Sequence, residues 1–138
     1  MSDESKKSQI SRQLLLALLV DLTVDKNYKR CFKAAHKELH YFFWSLKTNE
    51  SFKCFVEDLL FDTNGNFPHS EQIDELLQEF QLSGILSRPN PTYRYNDITI
   101  TQSPSAEEFK KNLTPDMKNA YEQILEEFKT ELGVSEAV

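Results

Sequence analysis

The chain has 138 residues, of which 39% are hydrophobic and 28% charged, and its formal net charge is −6. Ten phenylalanines, five tyrosines and one tryptophan exclude a disordered chain, and the length predicts one domain over residues 1–138, with frayed ends at 1–7 and 133–138. The acidic balance excludes the overall basic excess that is typical of dedicated nucleic-acid binders.

The cysteines and the lack of long apolar segments indicate the cellular compartment of the protein. Cys31 and Cys54 are widely spaced and do not form a disulfide framework. Residues 1–8 are polar, unlike a signal peptide, and no apolar run approaches the about 20 residues that a membrane span requires. We therefore expect a cytoplasmic protein with no membrane partner and no cofactor.

Three helices are predicted in the first half of the chain. Residues 8–24 are apolar on nearly every side, which is typical of a central core helix or of a helix in a dimer interface. With Asp25 as N-cap, the apolar spacing predicts a second helix over residues 26–46. A third helix is predicted to start near Asn49, with an apolar face of Phe52, Phe55, Val56, Leu59 and Leu60.

The second half begins with a turn over residues 62–69. Ser70 is the predicted N-cap of a fourth helix with the apolar face Ile73, Leu76, Leu77 and Phe80, and Gly84 is its stop signal. Residues 85–87 and 93–101 predict the two strands of a β-hairpin. Ser105 and Glu108 have capping-box spacing for a short helix, and Thr114 caps a last helix that ends before Gly133. The predicted class is mainly α (α+β), with five or six helices and one hairpin.

A resemblance to a known family covers the turn, the fourth helix and the hairpin. The residues that carry it are Phe67, Pro68, His69 and Ser70, then Ile73 to Leu82, then Ser83 to Leu86, and finally Tyr95, Ile98 and Thr99. This pattern resembles small bacterial winged-helix proteins, in which a Gly-Pro-Tyr-Ser turn leads to a helix, a Gly-Leu-Ile strand and a last strand ending in threonine. Phe67 replaces the glycine of that pattern and His69 the tyrosine.

The resemblance implies a winged-helix-like fold in which the fourth helix is the recognition helix and the hairpin is the wing. Domains of this kind occur in transcription regulators, in antitoxin-like proteins and in accessory subunits of defence systems.

The charge of the fourth helix argues against DNA readout. Its acidic residues are Glu71, Asp74, Glu75 and Glu79, and it has no basic residue, so phosphates would repel it. Near the hairpin tip, Arg88 and Arg94 offer two phosphate contacts, assisted by Asn90, which corresponds to a salt slope of only about −2. A protein-docking role is therefore expected, and the alternative is a dimeric DNA-binding transcriptional regulator or antitoxin-like protein.

One basic patch lies on the predicted second helix. At 100° per residue, Lys26, Lys29, Arg30, Lys33 and Lys37 fall within an arc of about 100°, and His40 and Trp44 extend this column. The column either binds phosphate, single-stranded nucleic acid or an acidic partner, or it is a solvated face with Trp44 packed under a neighbouring loop. Because the fourth helix has the opposite charge, we expect another protein subunit or a second copy of the chain as partner. The predicted partner-binding residues are Lys29, Lys33, Lys37, His40, Trp44, Glu71, Glu75 and Glu79.

Metal and catalytic patterns are incomplete. His36 and His40 have the i, i+4 spacing of a metal pair, but Lys37 stands where a metalloprotease motif requires glutamate, and a third ligand would have to come from His69 through the fold. There is no phosphate-binding loop, no nucleophile elbow and no activated-cysteine context. We therefore expect two partly exposed histidines and no metal. We also expect no catalytic residue, and predict a non-catalytic adaptor or regulatory protein.

Overall fold

A computed structural model describes residues 10–33, 37–87 and 95–135. Within this part of the chain, five α-helices accompany one three-stranded antiparallel sheet. The elements are α1 (Ile10–Val24), β1 (Tyr28–Lys33), α2 (Glu38–Lys47), a 3₁₀ helix (Lys53–Val56), α3 (Glu71–Leu82), β2 (Tyr95–Asp97), α4 (Pro104–Lys111), α5 (Pro115–Leu132) and β3 (Gly133–Ser135). The mainly helical α+β class predicted from the sequence is confirmed.

Helix α1 is the centre of the hydrophobic core. Every residue from Leu14 to Val20 is at most 4% exposed, and α4, α5 and the 3₁₀ helix pack around it. A helix that is apolar on all sides is stable in water only where other elements cover each of those sides. The core-helix prediction is therefore confirmed, and the run Leu14 to Val20 is covered by the chain itself.

The predicted second helix over residues 26–46 is wrong. Residues Tyr28–Lys33 form strand β1, and the helix that follows, α2, begins only at Glu38. Asp25 does not cap a helix: its Oδ1 accepts from the backbone N–H of Asn27 at 2.9 Å, which forms a tight turn. The basic column on one helix face therefore does not exist, because its first four members lie in a turn and a strand.

Strand β1 lies in the middle of the sheet, in the order β2-β1-β3. Its Phe32 pairs with Asn96 on β2 and with Gly133 on β3. The two arms of the predicted hairpin do pair, through a bridge between Leu86 and Ile98. The hairpin is therefore one side of a larger sheet that also holds the segment after α1 and the segment after α5.

The predicted third helix is reduced to a single 3₁₀ turn, Lys53–Val56. Asn49 explains the difference, because its side chain accepts from the backbone N–H of Ser51 at 2.8 Å and holds a turn where a helix was predicted to start. Four of the five predicted core residues of this segment are buried. Leu60, the fifth, is 74% exposed.

The later helices agree with the predicted positions, but two of their caps differ. Thr114 caps α5 as predicted, since its Oγ1 accepts from the N–H of Met117 at 3.2 Å. The cap of α4 is Ser103, whose Oγ accepts from Ala106, rather than the predicted Ser105. Ser70 precedes α3, but its side chain makes no capping bond and instead donates to Gln72.

Two remaining expectations concern fraying at the two ends of the chain and the absence of a membrane-spanning helix. Residues 133–135 are not frayed, because Gly133–Ser135 is strand β3 and pairs with β1. The other residues expected to fray, 1–7 and 136–138, lie outside the described part. Among the helices of residues 10–33, 37–87 and 95–135, none has the length and apolar content needed to cross a membrane.

Candidate protein-docking site

A row of aromatic side chains reaches the surface between α2 and the loop that precedes α3. Tyr41 and Trp44 lie one turn apart on α2, where side chains three residues apart are neighbours. The ring of Tyr41 lies 6.3 Å from that of Phe67, and the ring of Trp44 lies 5.2 Å from that of Phe61 in an edge-on contact. We call these four residues the aromatic surface.

The aromatic surface is only partly covered. Tyr41 is 44% exposed, and Trp44, Phe61 and Phe67 are half-buried. Leu60, which precedes Phe61 in the chain, is 74% exposed. Large apolar side chains grouped at a surface are typical of binding sites, because aromatic anchors supply most of the binding energy in protein interfaces.

A cluster of two histidines and one carboxylate supports this surface from below. Asp74 on α3 accepts from His40 Nε2 at 3.0 Å through Oδ1 and from His69 Nε2 at 2.8 Å through Oδ2. The two imidazole rings are stacked with centroids 4.7 Å apart, and the ring centroid of Phe67 lies 5.4 Å from that of His40 in a T-shaped arrangement. The cluster thus joins α2, the loop and α3, and it fixes the position of Phe67.

The tautomer of His40 follows from its second hydrogen bond. His40 is 1% exposed, and its Nδ1 accepts from the backbone N–H of Ser70 at 3.1 Å. A neutral imidazole has one N–H, so Nε2 carries it and donates to Asp74. Burial lowers the pKa of His40 below its ordinary value, against the opposing effect of Asp74. The sequence-based expectation of a partly exposed histidine here is wrong.

The same three residues have the composition of a metal site. The ligand atoms of His40, His69 and Asp74 all lie within 4.8 Å of one another. A histidine that binds a metal through Nε2 keeps its proton on Nδ1 and donates it to an acceptor. Here Nδ1 of His40 faces a donor, the N–H of Ser70. The geometry therefore fits a hydrogen-bonded connection better than it fits a metal ligand set.

The structure separates the predicted partner-binding residues. Lys29 and Lys33 lie on β1 and Lys37 precedes α2, so these lysines do not share a helix face with Trp44. His40 is buried and has no surface to offer. Trp44 does reach the surface, and it packs against Phe61 of the neighbouring loop, as one of the two interpretations of the sequence expected.

The acidic side of α3 is placed as predicted. Glu71, Glu75 and Glu79 are all exposed, and the buried side of the helix holds Ile73, Leu76 and Phe80. Glu79 accepts from Arg12 on α1 at 2.7 Å, so one of the three carboxylates is already paired within the chain. The predicted nucleic-acid residues Arg88, Asn90 and Arg94, like His36, lie outside the described residues.

A second polar cluster lies beside a cavity of about 590 Å³ between α4 and α5. Asp21 on α1 accepts from the hydroxyl of Tyr121 at 2.5 Å and from Lys110 Nζ at 2.8 Å. Burial and the Asp21 charge raise the pKa of Tyr121, so its phenol stays protonated and acts as a donor. This cluster joins α1, α4 and α5 and explains their packing without assigning a reaction.

Sequence reasoning missed most of the residues that the fold brings together at this site. Asp74 was assigned only to the acidic side of its helix, and Phe61 and Phe67 were assigned no role in a site. The one available signal was that aromatic residues and a histidine occupy a turn segment, where polar residues are the norm. Comparison with protein families, with curated proteins and with solved structures gives no match to this chain.

Proposed function

We propose that the chain is a non-catalytic adaptor or regulatory protein, and that it binds another protein through the aromatic surface of Tyr41, Trp44, Phe61 and Phe67. The observation that carries this proposal is the grouping of these rings, together with Leu60, at the surface above a rigid cluster. The proposal keeps the cytoplasmic location expected from the sequence. Membership of the winged-helix family stays a prediction.

Rigidity of the supporting cluster favours binding. His40 is hydrogen-bonded at both ring nitrogens and packs against Phe67, so the loop that carries this ring is held before a partner arrives. Preorganised side chains lose less conformational entropy on binding, and aromatic anchors have few rotatable bonds to immobilise. These two properties favour a docking role over a surface that contacts only solvent.

The test compares two double variants that remove similar apolar exposure at different places. Tyr41→Ser with Leu60→Ser alters the proposed surface. Val24→Ser with Leu82→Ser removes the two other exposed large apolar residues within the described ranges, which are 61% and 83% exposed. The tagged proteins are expressed in the cells that naturally produce the chain, and co-purified proteins are quantified by mass spectrometry.

We expect the unaltered protein to retain one partner in stoichiometric amount, and the control pair to retain it equally. The site variant should lose at least about tenfold of the bound partner, because truncating one aromatic anchor reduces binding by more than ~1.4 kcal/mol. The proposal is overturned if no stoichiometric partner is found, or if both variants retain it to the same extent.

A further inference from the structure

The most strongly charged segment of the chain is not part of the aromatic surface. Residues 26–37 contain five cations and no carboxylate, although the whole protein has a net charge of −6. The structure places four of these cations in the turn before β1 and on β1 itself, and the fifth before α2. The five residues are Lys26, Lys29, Arg30, Lys33 and Lys37.

Within the described part of the chain, these cations differ from four others in having no acidic partner. Lys53, Lys110 and Lys129 each form an ion pair with a carboxylate, and so does Arg12. Within the described residues, the side chains of the five cations in residues 26–37 form no ion pair or hydrogen bond. Their charge is therefore available to a partner.

The outer side of β1 is the side opposite Phe32, which is buried in the core. Cys31 and Lys33 project to this outer side, because side chains alternate where β1 pairs in register with β2. Lys29 is exposed, and it lies between Tyr28 and Phe32, where the pairing of β1 with β3 is irregular. Both lysines therefore contribute positive charge to this strand.

One acidic residue lies on this outer side. Asp97 on β2 is the register partner of Cys31, and it is exposed. Directly opposite residues on antiparallel strands project to the same side, so Asp97 also projects to the outer side. Its carboxylate reduces the local positive charge, so replacing Asp97 with a neutral residue should increase the affinity of this surface for an anion.

The composition of β1 indicates which kind of partner fits. Three of its six residues, Lys29, Arg30 and Lys33, are cations, and none is acidic. Within the described part of the chain, no exposed large apolar residue lies on β1 itself, and Tyr95 of β2 is the register partner of Lys33. A polyanion fits this composition, since most contacts from protein to nucleic acid reach phosphate oxygens and depend on charge.

We propose that the outer side of β1 contacts the phosphate backbone of a nucleic acid, with Lys29 and Lys33 as the central contacts. Such binding is independent of base sequence and is sensitive to salt. It uses a different surface from the aromatic surface, so the protein would hold a nucleic acid and a protein partner at the same time. Lys26, Arg30 and Lys37 extend the same basic segment.

The sequence adds one consistent feature. The segment that leads into β2, residues 88–94, contains Arg88 and Arg94 and no carboxylate. It joins β2 at Tyr95, which is the register partner of Lys33. In the sequence, the residues just before β2 therefore add no negative charge.

The test measures binding of a 20-base-pair duplex of arbitrary sequence by fluorescence anisotropy between about 50 and 200 mM salt. The variants are Lys29→Gln with Lys33→Gln, the single change Asp97→Asn, and the control pair Lys111→Gln with Lys118→Gln. Both control lysines are exposed and form no ion pair within the described residues. Thermal unfolding of each variant confirms that it is folded.

Each phosphate contact changes the slope of log K against log salt by about −0.9, so losing the two contacts of Lys29 and Lys33 should make the slope shallower by about 1.8. Asp97→Asn should raise affinity about threefold, as Coulomb's law gives for one unit charge about 7 Å from a phosphate in water. The control pair should leave the slope and the affinity unchanged.

Three results would overturn the proposal. The first is no binding of the duplex by the unaltered protein at about 50 mM salt, where such contacts are strongest. The second is an equal loss of binding in the control pair, which would reveal non-specific attraction to any lysine. The third is binding of poly-glutamate with no binding of the duplex, which would assign the surface to an acidic protein partner.

Discussion

The backbone N–H of Ser70 donates to Nδ1 of His40 at 3.1 Å, and both residues are 1% exposed. This bond reaches from the residue before α3 to the interior of α2, and it fixes which nitrogen of His40 carries the proton. Protonation of His40 would place a hydrogen on Nδ1, facing the hydrogen of Ser70. The connection between the two helices therefore requires neutral His40.

Stability should fall in mild acid because of His40. Burial lowers its pKa in the folded protein, so between the ordinary value of about 6.5 and that lowered value the unfolded chain binds more protons. The contribution is complete above about pH 6.5 and is lost as the pH falls, by at most about 1.4 kcal/mol per pH unit for one proton. Urea unfolding at pH 7.5, 6.5 and 5.5 measures this loss.

The control for this pH effect is His40→Asn, in which the amide oxygen can still accept from Ser70. We expect this variant to be less stable at pH 7.5 by about 1–3 kcal/mol, because Asp74 loses a donor and the core loses volume. Its stability should change less between pH 7.5 and 5.5 than that of the unaltered protein. Equal pH dependence in both proteins would contradict the assignment to His40.

Zinc should not stabilise the histidine cluster. Ligation through Nε2 of His40 requires the proton on Nδ1, and the Ser70 N–H opposes this. We expect an equimolar or tenfold excess of Zn²⁺ to shift the melting temperature by less than about 1 °C, whereas a bound ion at 100 times its Kd would add about 2.7 kcal/mol. A saturable increase that disappears in His69→Ala would show that the cluster binds metal.

The caps of α4 and α5 make a matched comparison. Ser103→Ala and Thr114→Ala each remove an oxygen that accepts from a backbone N–H, so each should lower the free energy of unfolding by about 1 kcal/mol. Ser105→Ala, two residues from the real cap and exposed, should change it by less than about 0.5 kcal/mol. Chemical denaturation measures the free energy of unfolding of each variant. A larger loss for Ser105→Ala than for Ser103→Ala would identify Ser105 as the N-cap of α4.

Gly133 has no room for a methyl group. A Cβ at this position would lie 2.5 Å from the carbonyl oxygen of Lys129 and 2.8 Å from Cδ1 of Tyr28. Gly133→Ala should therefore displace β3 and lower the free energy of unfolding by about 1–3 kcal/mol. At Gly65 nothing lies within 4 Å of the added atom, so Gly65→Ala should be neutral within about 0.5 kcal/mol. Urea midpoints of the two variants test the difference.

Local sequence signals were sufficient to predict those helices and caps whose interacting residues are close together in the chain. The 3.6-residue spacing of α3 and α5 and the cap at Thr114 depend on neighbours within one or two turns, and these elements were predicted correctly. Residues Tyr28–Lys33 fit a helical spacing as well as a strand. Their conformation is decided by pairing with β2 and β3, which local periodicity does not report.

The residues of the candidate site also divide into one that the sequence identified and others that only the tertiary fold brings together. Trp44 was identified because a large aromatic residue outside the predicted apolar stripe needs a partner, and Phe61 supplies one. Its other components come from separate segments: His40 lies on α2, His69 in a loop and Asp74 on α3. Only the tertiary fold places these three side chains around one carboxylate, so spacing along the chain could not predict the cluster.

The middle position of β1 has a consequence for synthesis of the chain. β1 cannot complete its pairing until β3 leaves the ribosome, roughly 100 residues later and roughly 5–20 s at about 5–20 residues per second. Both edges of β1 offer unpaired backbone groups until β2 emerges, and one edge still does until β3 emerges, so other nascent chains could join them. Its lysines and arginine repel the same strand in neighbouring chains, so the basic residues of β1 also protect the protein from aggregation while it is being made.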